Sequence, residues 1–226
     1  MKSGFLPAIT RLILLLAVAM SFMPVIIYLW KRLAENKAFM VISIFWMING
    51  ILYFPDIFHL NWYEPVTLRI LLFYNLMDAP IICLIFYFAF NNKLFLYLIG
   101  AFIVFETVVI GWNGFNLHSN NIIVAIGSTL CLILNVWGII RYVKKVKHTN
   151  EDAGLIFIFS GFIFYYGLIV DIILISRYLK LTFIQGDPIL LINYVAILVA
   201  TVLISFGFFK HAGPNLKEQT GDGNFR

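Results

Sequence analysis

The chain alternates between long apolar stretches and short polar connections along almost its whole length. The hydrocarbon core of a membrane is roughly 30 Å thick, and a helix of about 20 mostly apolar residues crosses it. Unbroken apolar runs indicate helices, since the strands of a membrane β-barrel alternate apolar and polar residues. Seven stretches qualify as spans: 12–30, 38–54, 69–90, 94–112, 121–140, 154–176 and 188–209.

The predicted fold class is therefore an all-α integral membrane protein, a bundle of seven transmembrane helices. Residues 1–210 form one transmembrane domain in this interpretation, because the connections are too short for a second domain. Residues 211–226 have low hydrophobicity with Gly and Pro, which predicts a disordered tail. The first span lacks a small-residue cleavage site before Lys31 and Arg32, so it is predicted to be retained instead of removed as a signal peptide.

Composition supports the membrane prediction, and charge adds an orientation. Apolar residues make up 62% of the chain and charged residues 12%, against roughly 45–50% and about 25% in ordinary globular proteins. Lys and Arg accumulate on the cytoplasmic side of membrane proteins, and eleven of the sixteen here follow spans 1, 3, 5 and 7. The N-terminus is thus predicted outside and the C-terminus in the cytoplasm of a multi-pass protein of the cell membrane.

The net charge of +5 is explained by this topology and does not call for a nucleic-acid partner. The most basic segment runs from Arg141 to Lys147. Such runs bind anionic lipid headgroups in some proteins, but here the segment is interpreted as a topology signal. The lipid bilayer is the first predicted partner.

Polar residues at membrane depth are costly, and each is a functional-site hypothesis. Several of these residues lie about 8–9 Å below the predicted outer boundary, given a rise of about 1.5 Å per residue. Asp78 lies one turn deeper than Asn75 and shares its face. Tyr194 is included because it follows Asn193, whereas Tyr165 and Tyr166 are interpreted as packing residues. The predicted ligand-binding residues are Asn49, Asn75, Asp78, Glu106, Asp171, Asn193 and Tyr194.

The three carboxyl groups in this set are the hardest to explain as packing. No Lys, Arg or His lies in the middle of a predicted span to pair with Asp78, Glu106 or Asp171. A buried carboxyl group either takes up a proton or has a cationic partner. A proton, a metal ion and an organic cation all stay open. The asparagines could instead hold the bundle together, since interhelical hydrogen bonds contribute about 0.6–2 kcal/mol each.

Two prolines interrupt predicted spans. Pro80 lacks an N–H and presses its ring against the carbonyl group of Leu76. This predicts a kink that frees a carbonyl oxygen beside Asp78, as in transporters that coordinate cations with broken helices. Pro24, in the first span, is predicted to have no comparable effect.

Several cofactors and site types are excluded. Retinal needs a buried lysine, and the only lysine of the last span is Lys210 at its cytoplasmic end. Haem and catalytic zinc need histidine, and no two histidines are four residues apart. Cys83 and Cys131 lie in separate spans, so neither a disulfide nor a metal motif is indicated. No cofactor is predicted. All four histidines fall in predicted connections or the tail: His59, His118, His148 and His211.

The leading functional prediction is a small-molecule or cation carrier, or a membrane sensor without its own output domain, with a polar pocket that opens outward. Its size and topology are similar to those of sugar and vitamin carriers with a three-plus-one-plus-three plan, although their repeated helix prolines are absent. The first alternative is a lipid hydrolase with Asp78 and Asp171 as an acid–base pair. The second is a non-catalytic accessory subunit bound to another membrane protein. A non-enzymatic role is favoured.

Overall fold

The computed structural model describes residues 5–33, 36–57, 64–145, 149–179 and 187–211. These ranges contain eight α-helices and no β-strand. The helices are α1 (Phe5–Ser21), α2 (Met23–Trp30), α3 (Lys37–Ile57), α4 (Glu64–Phe90), α5 (Leu94–Asn113), α6 (Leu117–Val143), α7 (Asn150–Leu179) and α8 (Asp187–His211).

Seven helical segments in the described ranges are long and apolar enough to cross a membrane, with α1 and α2 together counting as one. The predicted number of long apolar helices is confirmed, but the helices begin up to seven residues earlier than predicted. The predicted bounds followed apolar residues, whereas the helices continue into polar turns that side-chain caps stabilise. The Asn116 side chain, for example, accepts a 3.0 Å hydrogen bond from the N–H of Ser119. His211 is the last residue of α8, and residues 212–226 lie outside the described residues.

The first span is divided at Phe22, which separates α1 from α2. Pro24 stands at the start of α2, and it has no N–H to bond to the preceding turn. The expectation that Pro24 leaves the helix undisturbed is therefore wrong. The hydroxyl group of Ser43 on α3 donates to the carbonyl oxygen of Pro24 at 3.4 Å. By contrast, α4 is helical across Pro80 without interruption.

Helices α7 and α8 pack with their backbones in direct contact. A Cβ atom added to Gly154 would lie 2.7 Å from the carbonyl oxygen of Gly207, and one added to Gly161 would lie 2.8 Å from that of Ala200. Small residues at helix interfaces allow this close approach and so increase the van der Waals contact between the two helices. The two helices form the tightest seam of the bundle.

Aromatic and basic side chains gather at one end of the bundle. This basic end is defined by the ends of α2, α4, α6 and α8 and carries Lys31, Lys93, Arg141 and Lys210. Phe86 of α4 stacks on Phe159 of α7 with ring centroids 4.8 Å apart. The Arg141 guanidinium lies 4.8 Å from the ring centroid of Phe90 and 5.2 Å from that of Trp137. Helices α4, α6 and α7 are thus joined here by stacked rings capped with cations.

The seam between α7 and α8 predicts a position-specific penalty for adding one methyl group. Gly161→Ala is expected to lower the free energy of unfolding by about 1–3 kcal/mol, because the new Cβ meets backbone that cannot turn aside. Gly167→Ala, on the same helix, is the matched control, since an added Cβ there has nothing within 4 Å. Reversible unfolding in mixed detergent micelles measures both. Equal stabilities for the two variants would contradict the seam.

Candidate functional site

Asp78 occupies a meeting point of three helices. It lies near the midpoint of α4, partly buried, and its Oδ1 accepts a 2.8 Å hydrogen bond from the hydroxyl group of Tyr166 on α7. Tyr166 is fully buried. Its hydroxyl group also interacts with the thiol of Cys131 on α6. The prediction that Tyr166 serves only in packing is therefore wrong, because its hydroxyl group holds the carboxyl group of Asp78.

A second polar contact joins α3 to α4 beside Asp78. Asn49, on α3, is completely buried, and its amide nitrogen donates to the carbonyl oxygen of Phe45 at 3.1 Å and to the hydroxyl group of Tyr74. Tyr74 precedes Asp78 by four residues, so the two side chains share one face of α4. They are close enough to interact electrostatically. Asn49 is therefore connected to Asp78 through Tyr74.

Helix α8 contributes a third contact. The amide nitrogen of Asn193 donates to the hydroxyl group of Tyr53 on α3 at 3.1 Å. The rings of Tyr53 and Tyr194 meet edge to face with centroids 5.9 Å apart. Tyr53 interacts electrostatically with both Tyr74 and Tyr165, which connects this contact to the surroundings of Asp78. We call the whole set the central polar network: Asn49, Tyr53, Tyr74, Asp78, Cys131, Tyr165, Tyr166, Asn193 and Tyr194.

Three of the predicted residues lie apart from this network. Asn75, next to Tyr74, points to a different side of α4, and its amide nitrogen donates to Asn120 of α6 at 3.0 Å. Glu106 is buried on α5, and its Oε1 has no hydrogen-bond partner among the described residues. Asp171 is exposed on α7. The structure therefore brings four of the seven predicted residues together and leaves these three elsewhere.

Sequence reasoning missed the tyrosines that complete the network. Tyr53 follows Asn49 by four residues, and Tyr74 precedes Asp78 by four, so both share a helix face with a predicted site residue. That spacing was the available signal. Asn120 was missed because it falls just before the fifth predicted span, although α6 already begins at Leu117.

Two buried hydrogen-bonding atoms, one in the network and one beside it, have no partner among the described residues. Trp46 lies one turn before Asn49 on α3, and both side chains are fully buried. Neither the Nε1 of Trp46 nor the Oδ1 of Asn49 has a hydrogen-bond partner among the described residues. Most buried polar atoms in proteins are paired, so an orphaned donor and acceptor on one helix face point to a missing partner.

Positive side chains are absent from the surroundings of Asp78 in the described part of the chain. The ion pair of the described residues lies elsewhere, at the basic end, where Lys145 meets Asp152 at 2.6 Å. The described residues also contain no group of three or more His, Cys, Asp or Glu side chains that could hold a metal ion. The positive charge that a buried carboxylate requires is therefore not supplied by the described side chains.

No protein-family model, curated protein or solved structure matches this chain. Its function is consequently inferred from the chemistry of its own residues. The central polar network is the feature that supports such an inference most directly, because it collects side chains of five helices around one carboxyl group.

The hydrogen bond to Asp78 predicts a cost for removing one hydroxyl group. Tyr166→Phe leaves Oδ1 of Asp78 without its donor, and we expect the free energy of unfolding to fall by about 1–3 kcal/mol. Tyr97→Phe is the control, because the Tyr97 side chain is 72% exposed on α5. Reversible unfolding in mixed micelles gives both values. A loss no larger than that of the control would show that the hydroxyl group does not support the site.

Proposed function

We propose that the protein crosses the cell membrane seven times and binds a small organic cation at Asp78, acting as a carrier or as a sensor. The observation that supports this proposal best is the carboxyl group of Asp78, held by Tyr166 inside the bundle without a positively charged partner among the described residues. Ionisable groups at membrane depth are rare because they are costly, and they commonly mark substrate or ion pathways.

The carboxyl group has capacity for a ligand. Its Oδ1 accepts from Tyr166, while its other oxygen makes no hydrogen bond to any described residue. Asp78 is only partly buried, so this second oxygen is the natural contact for a cation. Its position near the midpoint of α4 also agrees with transporters, which bind substrates near the middle of the bilayer.

The surroundings favour an organic ammonium group over a metal ion. Tyr74, Tyr165 and Tyr166 place aromatic rings near Asp78, and a cation over such a ring gains about 0.5–2 kcal/mol. A hard metal ion such as Ca²⁺ or Mg²⁺ takes about six or more oxygen ligands, and the described residues offer no such cluster. The unpaired atoms of Trp46 and Asn49 could bond to polar groups elsewhere on the ligand.

The proposal includes an orientation in the membrane, with the basic end in the cytoplasm. The excess of Lys and Arg at the basic end supports a cytoplasmic location for that end. Cations resting on aromatic rings there, such as Lys31 at 5.0 Å from the ring centroid of Trp30, suit the interface between membrane and water. The opposite end, with the N-terminus of α1, then faces outward, and the ligand reaches Asp78 from that side.

The placement of Asp171 does not favour the paired-aspartate hydrolase. Asp171 is exposed, and its position five residues after Tyr166 puts it well around α7 from the face that meets Asp78. An acid and a base must both reach the same substrate atoms. The hydrolase and the accessory subunit are therefore kept as outcomes of the test.

Binding of an ammonium ion at Asp78 predicts a selective effect of one substitution. Choline chloride is expected to raise the unfolding temperature of the purified full chain above that in equimolar sodium chloride. Asp78→Asn should weaken this binding at least about 30-fold, because truncating one partner of a buried charge pair costs about 2 kcal/mol or more. Asp171→Asn, which removes an exposed carboxylate, should keep the wild-type response.

Three results would count against this proposal. Equal choline responses in the wild type and Asp78→Asn would remove Asp78 as the site, and no response in the wild type would remove the choline-like ligand. Hydrolysis of phospholipid vesicles that both aspartate variants lose would favour the enzyme. Uptake of labelled choline into proteoliposomes separates a carrier from a sensor.

The orientation predicts opposite labelling of two exposed positions. His118 lies at the end of α6 away from the basic end, and Lys144 directly follows α6 at the basic end. In intact cells, an impermeant maleimide should label His118→Cys, and it should label Lys144→Cys only after the membrane is opened. The native cysteines Cys83 and Cys131 are buried and give the background. The reverse pattern would invert the orientation.

A further inference from the structure

Glu106 is a second buried carboxyl group that the central polar network does not use. It lies on α5, which is the least buried of the seven candidate spans. Despite this peripheral position, the Glu106 side chain is only 6% exposed, and the helices that pack against α5 are α4 and α6. Its Oε1 has no hydrogen-bond partner among the described residues. A buried orphan carboxyl group of this kind calls for a ligand or a proton.

A narrow cleft lies between α4, α5 and α6, and the residues that line it do not include Glu106. Its polar lining comes from Asn116, Ser119 and Asn120 of α6, and its apolar lining includes Leu76, Ile110 and Ile123. Ile110 follows Glu106 by four residues on α5, so Glu106 lies one turn deeper on the same face. The cleft begins at the bundle end away from the basic end, because it includes the residues around the start of α6.

We propose that Glu106 is a proton-binding site, separate from Asp78, that exchanges its proton with the surroundings of the bundle. A carboxyl group in apolar surroundings without a cation has its lowest free energy in the neutral, protonated form. This inference does not depend on the identity of the ligand at Asp78.

The surroundings fit a proton better than a metal ion. The amide oxygen of Asn120, in the cleft lining, already accepts a 3.0 Å hydrogen bond from the amide nitrogen of Asn75. A metal ion needs several oxygen ligands at once, and the described residues hold no cluster of acidic, histidine and cysteine ligands. A proton needs only the carboxyl group itself.

The titratable side chains of the helices packed against α5 are accounted for within the described residues. On α4, Asp78 bonds to Tyr166, Tyr74 bonds to Asn49, and Cys83 is buried. On α6, Cys131 interacts with Tyr166, and His118 is exposed in the first turn. Tyr87, Arg141 and Tyr142 lie towards the basic end, away from the cleft. None of these groups forms an ion pair with Glu106.

A hydrophobic carbodiimide tests the proposal directly, because it reacts with protonated carboxyl groups in apolar surroundings. The carboxyl proton moves to a carbodiimide nitrogen and the carboxylate oxygen bonds to the central carbon. Acyl transfer from oxygen to nitrogen then yields a stable N-acylurea, with no other reagent consumed. The full chain in detergent is treated with dicyclohexylcarbodiimide, and the modified residue is located by fragment mass spectrometry.

We expect one carbodiimide on Glu106, with labelling that falls as the pH is raised and that equal concentrations of sodium or potassium chloride do not change. Glu106→Gln should lose this label, whereas Asp171→Asn should keep it. Because the label is located in the wild-type protein, the result does not depend on whether the glutamine variant folds.

Two outcomes would overturn the inference. An unmodified Glu106 at every pH would show that the carboxyl group holds no exchangeable proton that the reagent reaches. Protection of Glu106 by sodium or potassium would identify a metal-cation site instead. Neither outcome bears on choline binding at Asp78, so the two proposals fail separately.

Discussion

The structure depends on one constraint: polar groups inside a bundle apolar enough to span a membrane must find their partners within the protein. Short hydroxyl side chains meet it locally, by donating to the carbonyl oxygen one turn earlier. Such bonds run from Ser21 to Ala17, from Ser160 to Ile156 and from Thr201 to Ile197. Amide, phenol and carboxyl groups reach farther and bond across helices. The central polar network is the result of that longer reach.

Apolar packing and hydrogen bonding between helices occupy different parts of the bundle. Aromatic stacking and cations hold the basic end, and the glycine seam holds α7 against α8 with few polar atoms. Among the described residues, the hydrogen bonds between side chains of two different helices lie in the middle and towards the other end. Phe159 and Tyr166 show the division within α7, since the first stacks on Phe86 and the second bonds to Asp78. Aromatic packing thus dominates the basic end, and polar contacts dominate the middle of the bundle.

The number and approximate position of the spans could be predicted because hydrocarbon thickness fixes the length of an apolar run. Asn49, Asp78 and Asn193 could also be selected from the cost and depth of polar groups, whereas Tyr194 was selected only because it follows Asn193. The exposure of Asp171 could not, because α7 is apolar on nearly every side and its sequence does not mark the face that meets its neighbours. The role of Tyr166 could not be predicted either. A tyrosine whose hydroxyl group donates a hydrogen bond has the same sequence pattern as a tyrosine that only packs.

The bond between Tyr166 and Asp78 has a consequence for how the proposed binding would act on the fold. A cation that draws the carboxylate towards itself weakens the hold of the hydroxyl group on the same side chain. The stacked Phe86 and Phe159 keep α4 and α7 together at the basic end, so the helices would separate by pivoting about those rings. Ligand binding and the spacing of α4 and α7 would then be thermodynamically coupled. Each would change the equilibrium of the other by the same free energy.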